Sequence, residues 1–108
     1  MLVGYPTRQE WLNEYNEPGT KKILDASLKH FDKFLNSIEK KELEFFEYVR
    51  NTNEMELFRI INKIKLQLTE KLSPLSSRYY LGHIMTWFRV NGVTVSESKF
   101  KREKFNSV

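Results

Sequence analysis

The chain has no cysteine, two histidines, three prolines and four glycines among its 108 residues. Without cysteine, disulfides and thiolate metal sites are excluded, and the redox compartment is left open. His30 and His83 are isolated, and neither has an acidic or histidine neighbour at metal-ligand spacing backed by a third ligand. No metal and no cofactor is therefore expected. No apolar run reaches the length of a membrane span, and no signal-peptide pattern opens the chain, so a soluble cytoplasmic protein is the expectation. Glycine-rich phosphate loops and nucleophile elbows are also missing. Ser76 and Ser77 have no base near them in sequence. Carboxylate pairs such as Glu10/Glu14 and Glu39/Glu42 are present, but exposed helix acids rarely have the perturbed pKa that acid–base catalysis requires. Neither an enzyme nor a small-molecule substrate is expected.

Acidic residues are scarce in one half only. Residues 1–58 hold 8 Lys/Arg against 11 Asp/Glu, a net charge of −3. Residues 59–108 hold 10 against 3, a net charge of +7. Such a split implies that the C-terminal half faces an acidic partner.

What is present is helical patterning with bulky core material: eight Phe, five Tyr and two Trp. At this length one domain is expected, burying roughly two-thirds of its unfolded surface. Thr7 caps a short helix over roughly 7–16, bearing Trp11, Leu12 and Tyr15, and Pro18-Gly19 ends it. Thr20 starts a helix over roughly 20–38, whose Ile23, Leu24, Leu28, Phe31, Phe34, Leu35 and Ile38 form one stripe. A short helix over 42–50 carries Leu43, Phe46 and Val49. After the capping run Asn51-Thr52-Asn53, a helix over 54–71 carries Leu57, Phe58, Ile61, Ile64, Leu68 and Leu72, with Arg59, Lys63 and Lys71 on its other face. Ser73 caps the last strong helix, 74–91, with Pro74 at its first position. That helix buries Leu81, Ile84, Trp87 and Phe88, and Gly92 ends it. Residues 93–108 read as a basic tail with Lys99, Lys101, Arg102 and Lys104 around Phe100 and Phe105. The class is all-α: four main helices, a short one and the tail, with residues 1–92 forming the helical domain.

The start of helix 74–91 combines Ser76, Ser77, Arg78 and Tyr79 with the positive end of a helix dipole. Arg78 offers a planar fork for a phosphate. Thr20, Lys21 and Lys22 open helix 20–38, and basic residues there oppose its dipole, which points to a functional reason. Together with Lys99, Lys101 and Arg102, these are the candidate DNA-facing residues. Ser73-Pro74 taken alone is capping.

The run Leu72-Ser73-Pro74-x-Ser76-x-x-x-Tyr80-Leu81-x-x-Ile84-x-x-Trp87-Phe88 resembles the last main helix of the core-binding domain in tyrosine recombinases and phage-type integrases. Trp11-Leu12, Thr20, Leu28, Phe31 and Phe34-Leu35 resemble the first helix pair of that family, so the likeness spans roughly 7–91. It implies a SAM-like bundle that grips duplex DNA, with helices 20–38 and 74–91 approaching the major groove and protomers meeting on the DNA. By position it makes Thr20, Lys22, Ser76, Ser77 and Arg78 DNA-facing. One departure is Met85, where the family often has Arg one position after Ile84. The family's chemistry resides in a separate C-terminal domain with a Tyr nucleophile, and no Arg…His-x-x-Arg…Tyr series occurs here. None of the five tyrosines is expected to be that nucleophile, and the tail stands where a linker to a catalytic domain would run. The competing expectation is a helical protein–protein module whose basic half docks on an acidic partner.

Overall fold

The computed structural model describes residues 4–94. Among them are five helices and no strand: α1 (Arg8–Leu12), α2 (Pro18–Ser37), α3 (Glu42–Arg50), α4 (Glu54–Thr69) and α5 (Pro74–Val90). No helix among the described residues is long and apolar enough to cross a membrane. Lys99, Lys101 and Arg102, with the rest of the expected tail from residue 95, lie outside the described residues.

Three helix starts follow from local side-chain chemistry. Thr7 Oγ1 accepts from the Glu10 N–H (3.1 Å) while the Glu10 carboxylate accepts from the Thr7 N–H (2.8 Å), a reciprocal capping box. Asn53 Oδ1 accepts from the Glu56 N–H (2.8 Å), and Ser73 Oγ from the Ser76 N–H (3.1 Å). The start of α2 differs from expectation. α1 stops at Leu12, and Pro18-Gly19 opens α2 instead of closing α1. Pro18 stands at the first helical position, where a missing N–H breaks no helical bond. Thr20 is thus inside the first turn, and Glu17 holds the cap position.

Two helix ends share one geometry. After α5, the Gly92 N–H bonds to the Arg89 carbonyl and the Val93 N–H to the Phe88 carbonyl (3.0 Å each), with Gly92 at φ 82°. Buried Val93 completes this Schellman motif with its apolar contact. After α2, the Glu39 N–H reaches the Asn36 carbonyl and the Lys40 N–H the Leu35 carbonyl (3.1 Å each), with Glu39 at φ 54°. Here a non-glycine residue accepts the left-handed conformation.

The core is aromatic. α2, α4 and α5 pack on one another, and α1 lies on α2. The ring of Phe31 (α2) lies 5.4, 5.8 and 5.6 Å from Phe45, Phe46 and Phe88, joining α2, α3 and α5. Each of these rings is almost completely buried, worth about 2–3 kcal/mol of transfer free energy apiece. Their tilted and edge-on arrangements add up to about 1 kcal/mol per pair. Trp11 stacks on Trp87 at 4.9 Å, fixing α1 to α5. The expected stripes hold in α2 and α4 apart from their edges. Ile38 lies at the exposed end of α2, and Leu43 on α3 is 85% exposed. α3 instead turns Phe45, Phe46 and Val49 inward, and Ile60 and Met85 join the core.

A polar cluster links four helices. Arg8 forms a bidentate pair with Asp32 (3.0 and 2.8 Å) and contacts Glu42 Oε2 through Nε (3.1 Å) and Nη2 (2.8 Å). The same Glu42 oxygen accepts the indole N–H of Trp87 at 2.8 Å. Partial burial works to lower the Arg8 pKa, but the hydrogen bonds and charges of Asp32 and Glu42 outweigh it and hold the guanidinium above its ordinary value.

At the far end of α5, Arg50 donates through Nε to the Asn91 carbonyl (2.6 Å), and its guanidinium lies 4.0 Å from the centroid of the Tyr5 ring. Asn91 in turn donates through Nδ2 to the Trp87 carbonyl (2.9 Å). A Cβ added at Gly92 would lie 2.7 Å from the Tyr5 hydroxyl, so Tyr5 closes over that glycine.

Candidate nucleic-acid interface

The structure separates the expected site residues into exposed groups and groups already engaged. On α5, Arg78 and Tyr79 are exposed, and Arg78 also makes an interaction within the chain. Ser76 is half-buried, and its hydroxyl accepts from the Ser73 hydroxyl at 3.1 Å. Ser77 is a correction. It is 1% exposed and belongs to the stripe Ser77, Leu81, Ile84, Phe88 that faces the core, so it cannot meet an external phosphate. The stripe was readable from spacings of four, three and four, had Ser77 been allowed on an apolar face.

The α5 tip is also less open to anions than its hydroxyls imply. Pro74 has no N–H to offer, the Ser76 N–H is taken by Ser73, and the Ser77 N–H bonds to the Ser73 carbonyl at 2.9 Å. The Ser73–Ser76 pairs start and stiffen the helix. What reaches solvent beside them is Leu75 (77% exposed), Arg78 and Tyr79.

At the α2 start, Lys22 is exposed while Thr20 and Lys21 are half-buried. The Thr20 hydroxyl points to the Glu17 carboxylate at 3.5 Å, and this acid beside the helix start competes with any incoming anion. The His30–Tyr80 ring contact, at 4.9 Å, marks where α2 and α5 meet. Thr20 lies ten residues before His30, roughly 15 Å along α2, and Ser76 four residues before Tyr80, roughly 6 Å along α5.

Met85, at the position where a phosphate-contacting Arg was sought, is 3% exposed. Its side chain belongs to the core, which explains why an apolar residue stands there.

Beyond the expected set, exposed cations lie on α4 and α5: Arg59, Lys63 and Arg89, with Lys71 between the helices. Arg59 also pairs with Glu56 at 3.3 Å. Over residues 59–94 there are six Lys/Arg and one acid, Glu70. Most of the basic excess of the second half therefore sits on these two helices and not in the tail. Arg59 and Lys63 lie on the outer face of α4, as their spacing predicts, and extend the candidate surface beyond the helix starts.

A cleft of about 160 Å³ between α2 and α4 is floored by Phe34, Ile64 and Leu68 and rimmed by His30, Lys33 and Lys71. Burial, with the charge of Lys33, holds the His30 pKa below its ordinary 6.5. His83 is lowered by burial alone. No group of three or more His, Asp or Glu among the described residues could hold a metal ion. No family model, curated protein or solved structure matches this chain.

Proposed function

We propose that the chain is a duplex-DNA-binding helical module, a SAM-like core-binding unit of a site-specific tyrosine recombinase. The observation that carries the DNA reading is the basic excess that begins after the acidic first turn of α4: six Lys/Arg against one acid over residues 59–94, five of the cations exposed. Such a surface suits a polyanion, and phosphate contacts supply affinity without reading sequence. Arg78 and Tyr79 on α5, Lys21 and Lys22 on α2, and Arg59 and Lys63 on α4 are the contacting set. Ser76 acts through the helix start it completes. The recombinase assignment rests on the family resemblance of residues 7–91, with the major-groove approach of α2 and α5 as its geometry and the chemistry left to a separate domain.

The test is a fluorescence-anisotropy titration with a duplex at several salt concentrations. With about six phosphates contacted, affinity should fall roughly a thousandfold between about 50 and 200 mM salt. Arg78→Ala should weaken binding about equally for all sequences and lower the salt slope by roughly one. Affinity that is flat with salt and unchanged by Arg78→Ala would overturn the proposal. Leu43 (85% exposed) and Met55 (73% exposed) favour a second reading, a protein-docking module. Light scattering that reveals a stable assembly indifferent to duplex would select it.

A further inference from the structure

Gly82 stands in the middle of α5, in a helix that is otherwise well formed from Pro74 to Val90. Glycine in a helix interior costs about 1 kcal/mol relative to alanine. Close packing against a neighbour is one reason for a glycine there, yet a Cβ built at Gly82 meets nothing within 4 Å among the described residues. Among residues 4–94, then, no neighbour gives a packing reason for the glycine.

The surroundings of Gly82 indicate what approaches. Leu75, Arg78, Tyr79, Gly82, Thr86 and Arg89 recur at helical spacing and form one strip of α5, bordered by the buried Met85 and turned away from the buried Ser77, Ile84, Trp87 and Phe88. Leu75, Arg78, Tyr79 and Arg89 are exposed, and Gly82 and Thr86 half-exposed. α5 contains no acidic residue. The two arginines lie eleven residues apart, roughly 16 Å along the helix, with Gly82 between them. A second copy of α5 would bring arginines against arginines, whereas a polyanion matches the strip.

We propose that Gly82 is the point where a DNA sugar–phosphate strand crosses α5 in van der Waals contact with the helix backbone, flanked by Arg78 and Arg89. This inference rests on the DNA-binding reading above and adds the crossing point. The glycine removes the side chain that would hold the strand off, and the arginines meet phosphates on either side.

Gly82→Ala tests it, because the two effects of the substitution have opposite signs. Alanine should raise the melting temperature by about 5 °C through helix propensity. It should also weaken duplex binding about tenfold, because the added methyl overfills the contact. A more stable variant that binds as tightly as the wild type overturns the proposal. A destabilised variant overturns it too, since part of the chain would then cover Gly82. A wild-type dimer that Gly82→Ala dissociates would make a second copy the occupant and equally overturn it. Failure of the wild-type protein to bind any duplex is a different result: it removes the DNA-binding reading, and the crossing point with it.

Discussion

Replacing Glu42 by alanine should cost more stability than any other change to a half-exposed carboxylate in this protein. One oxygen of Glu42 accepts three hydrogen bonds, two from Arg8 and one from the Trp87 indole, at 2.8–3.1 Å. Trp87 is 2% exposed, so without Glu42 its N–H is left buried and unpartnered, at about 1–3 kcal/mol. Arg8 and Glu42 have side-chain exposures of 26% and 30%, so solvent screens their pairing and about 1 kcal/mol is the fitting allowance. The sum is about 3 kcal/mol, a large share of the roughly 5–15 kcal/mol typical of a domain. The melting temperature should fall by about 15 °C. Glu42→Gln keeps an acceptor for the indole and loses the charge facing Arg8, so it should cost only about 1 kcal/mol. The assay is urea unfolding followed by circular dichroism and by tryptophan fluorescence. A double-mutant cycle with Trp87→Phe should return a coupling of about 1 kcal/mol or more. If both Glu42 variants lie within about 0.5 kcal/mol of the wild type, or the cycle returns no coupling, the reasoning fails.

Two further outcomes are expected. Ser77→Ala should stabilise the fold by about 1 kcal/mol in a denaturant titration, because the Ser77 hydroxyl is enclosed with no hydrogen-bond partner, and it should leave duplex affinity unchanged. Loss of stability or of binding would return Ser77 to a functional role. Stability should also decline as pH falls below about 6.5. Burial holds His30 and His83 below that value in the folded protein, with Lys33 adding to the effect on His30. The unfolded chain therefore takes up protons first, and the stability present above 6.5 is lost as pH drops through the folded-state pKa values. A His30→Gln, His83→Gln variant should have a flatter profile between pH 7.5 and 5.5 (about two units); an identical profile refutes the assignment.

Features that depend on a few neighbouring residues were legible in the sequence. Thr7, Asn53 and Ser73 cap their helices because each side chain reaches a backbone N–H three residues on. The all-α class and most of the apolar stripes follow from periodicity. Pro18-Gly19 is ambiguous in sequence, because proline suits both the residues after a helix and the first helical turn. The rotation of α3 is not legible locally, because Leu43, Phe45, Phe46 and Val49 offer two apolar faces, and only packing against Phe31 and Phe88 selects one. The Arg8, Asp32, Glu42 and Trp87 cluster joins residues 24, 34 and 45 apart in sequence, and no local pattern announces it. At the candidate interface, the basic excess was visible from composition. Its placement on α4 and α5, the burial of Ser77 and Met85, and the open space over Gly82 required the fold.

The Arg50 latch has a consequence for how the polypeptide is strung. Tyr5 lies over Gly92, and Arg50 holds both Tyr5 and the Asn91 carbonyl. The strand of chain entering α1 and the one leaving α5 therefore share a single anchor, contributed from the middle of the sequence. Fraying at one end exposes the other, so the two should loosen as a unit. A circular permutant that links Tyr5 to Thr94 directly through a short linker, with new ends opened in a surface loop, should therefore keep the fold.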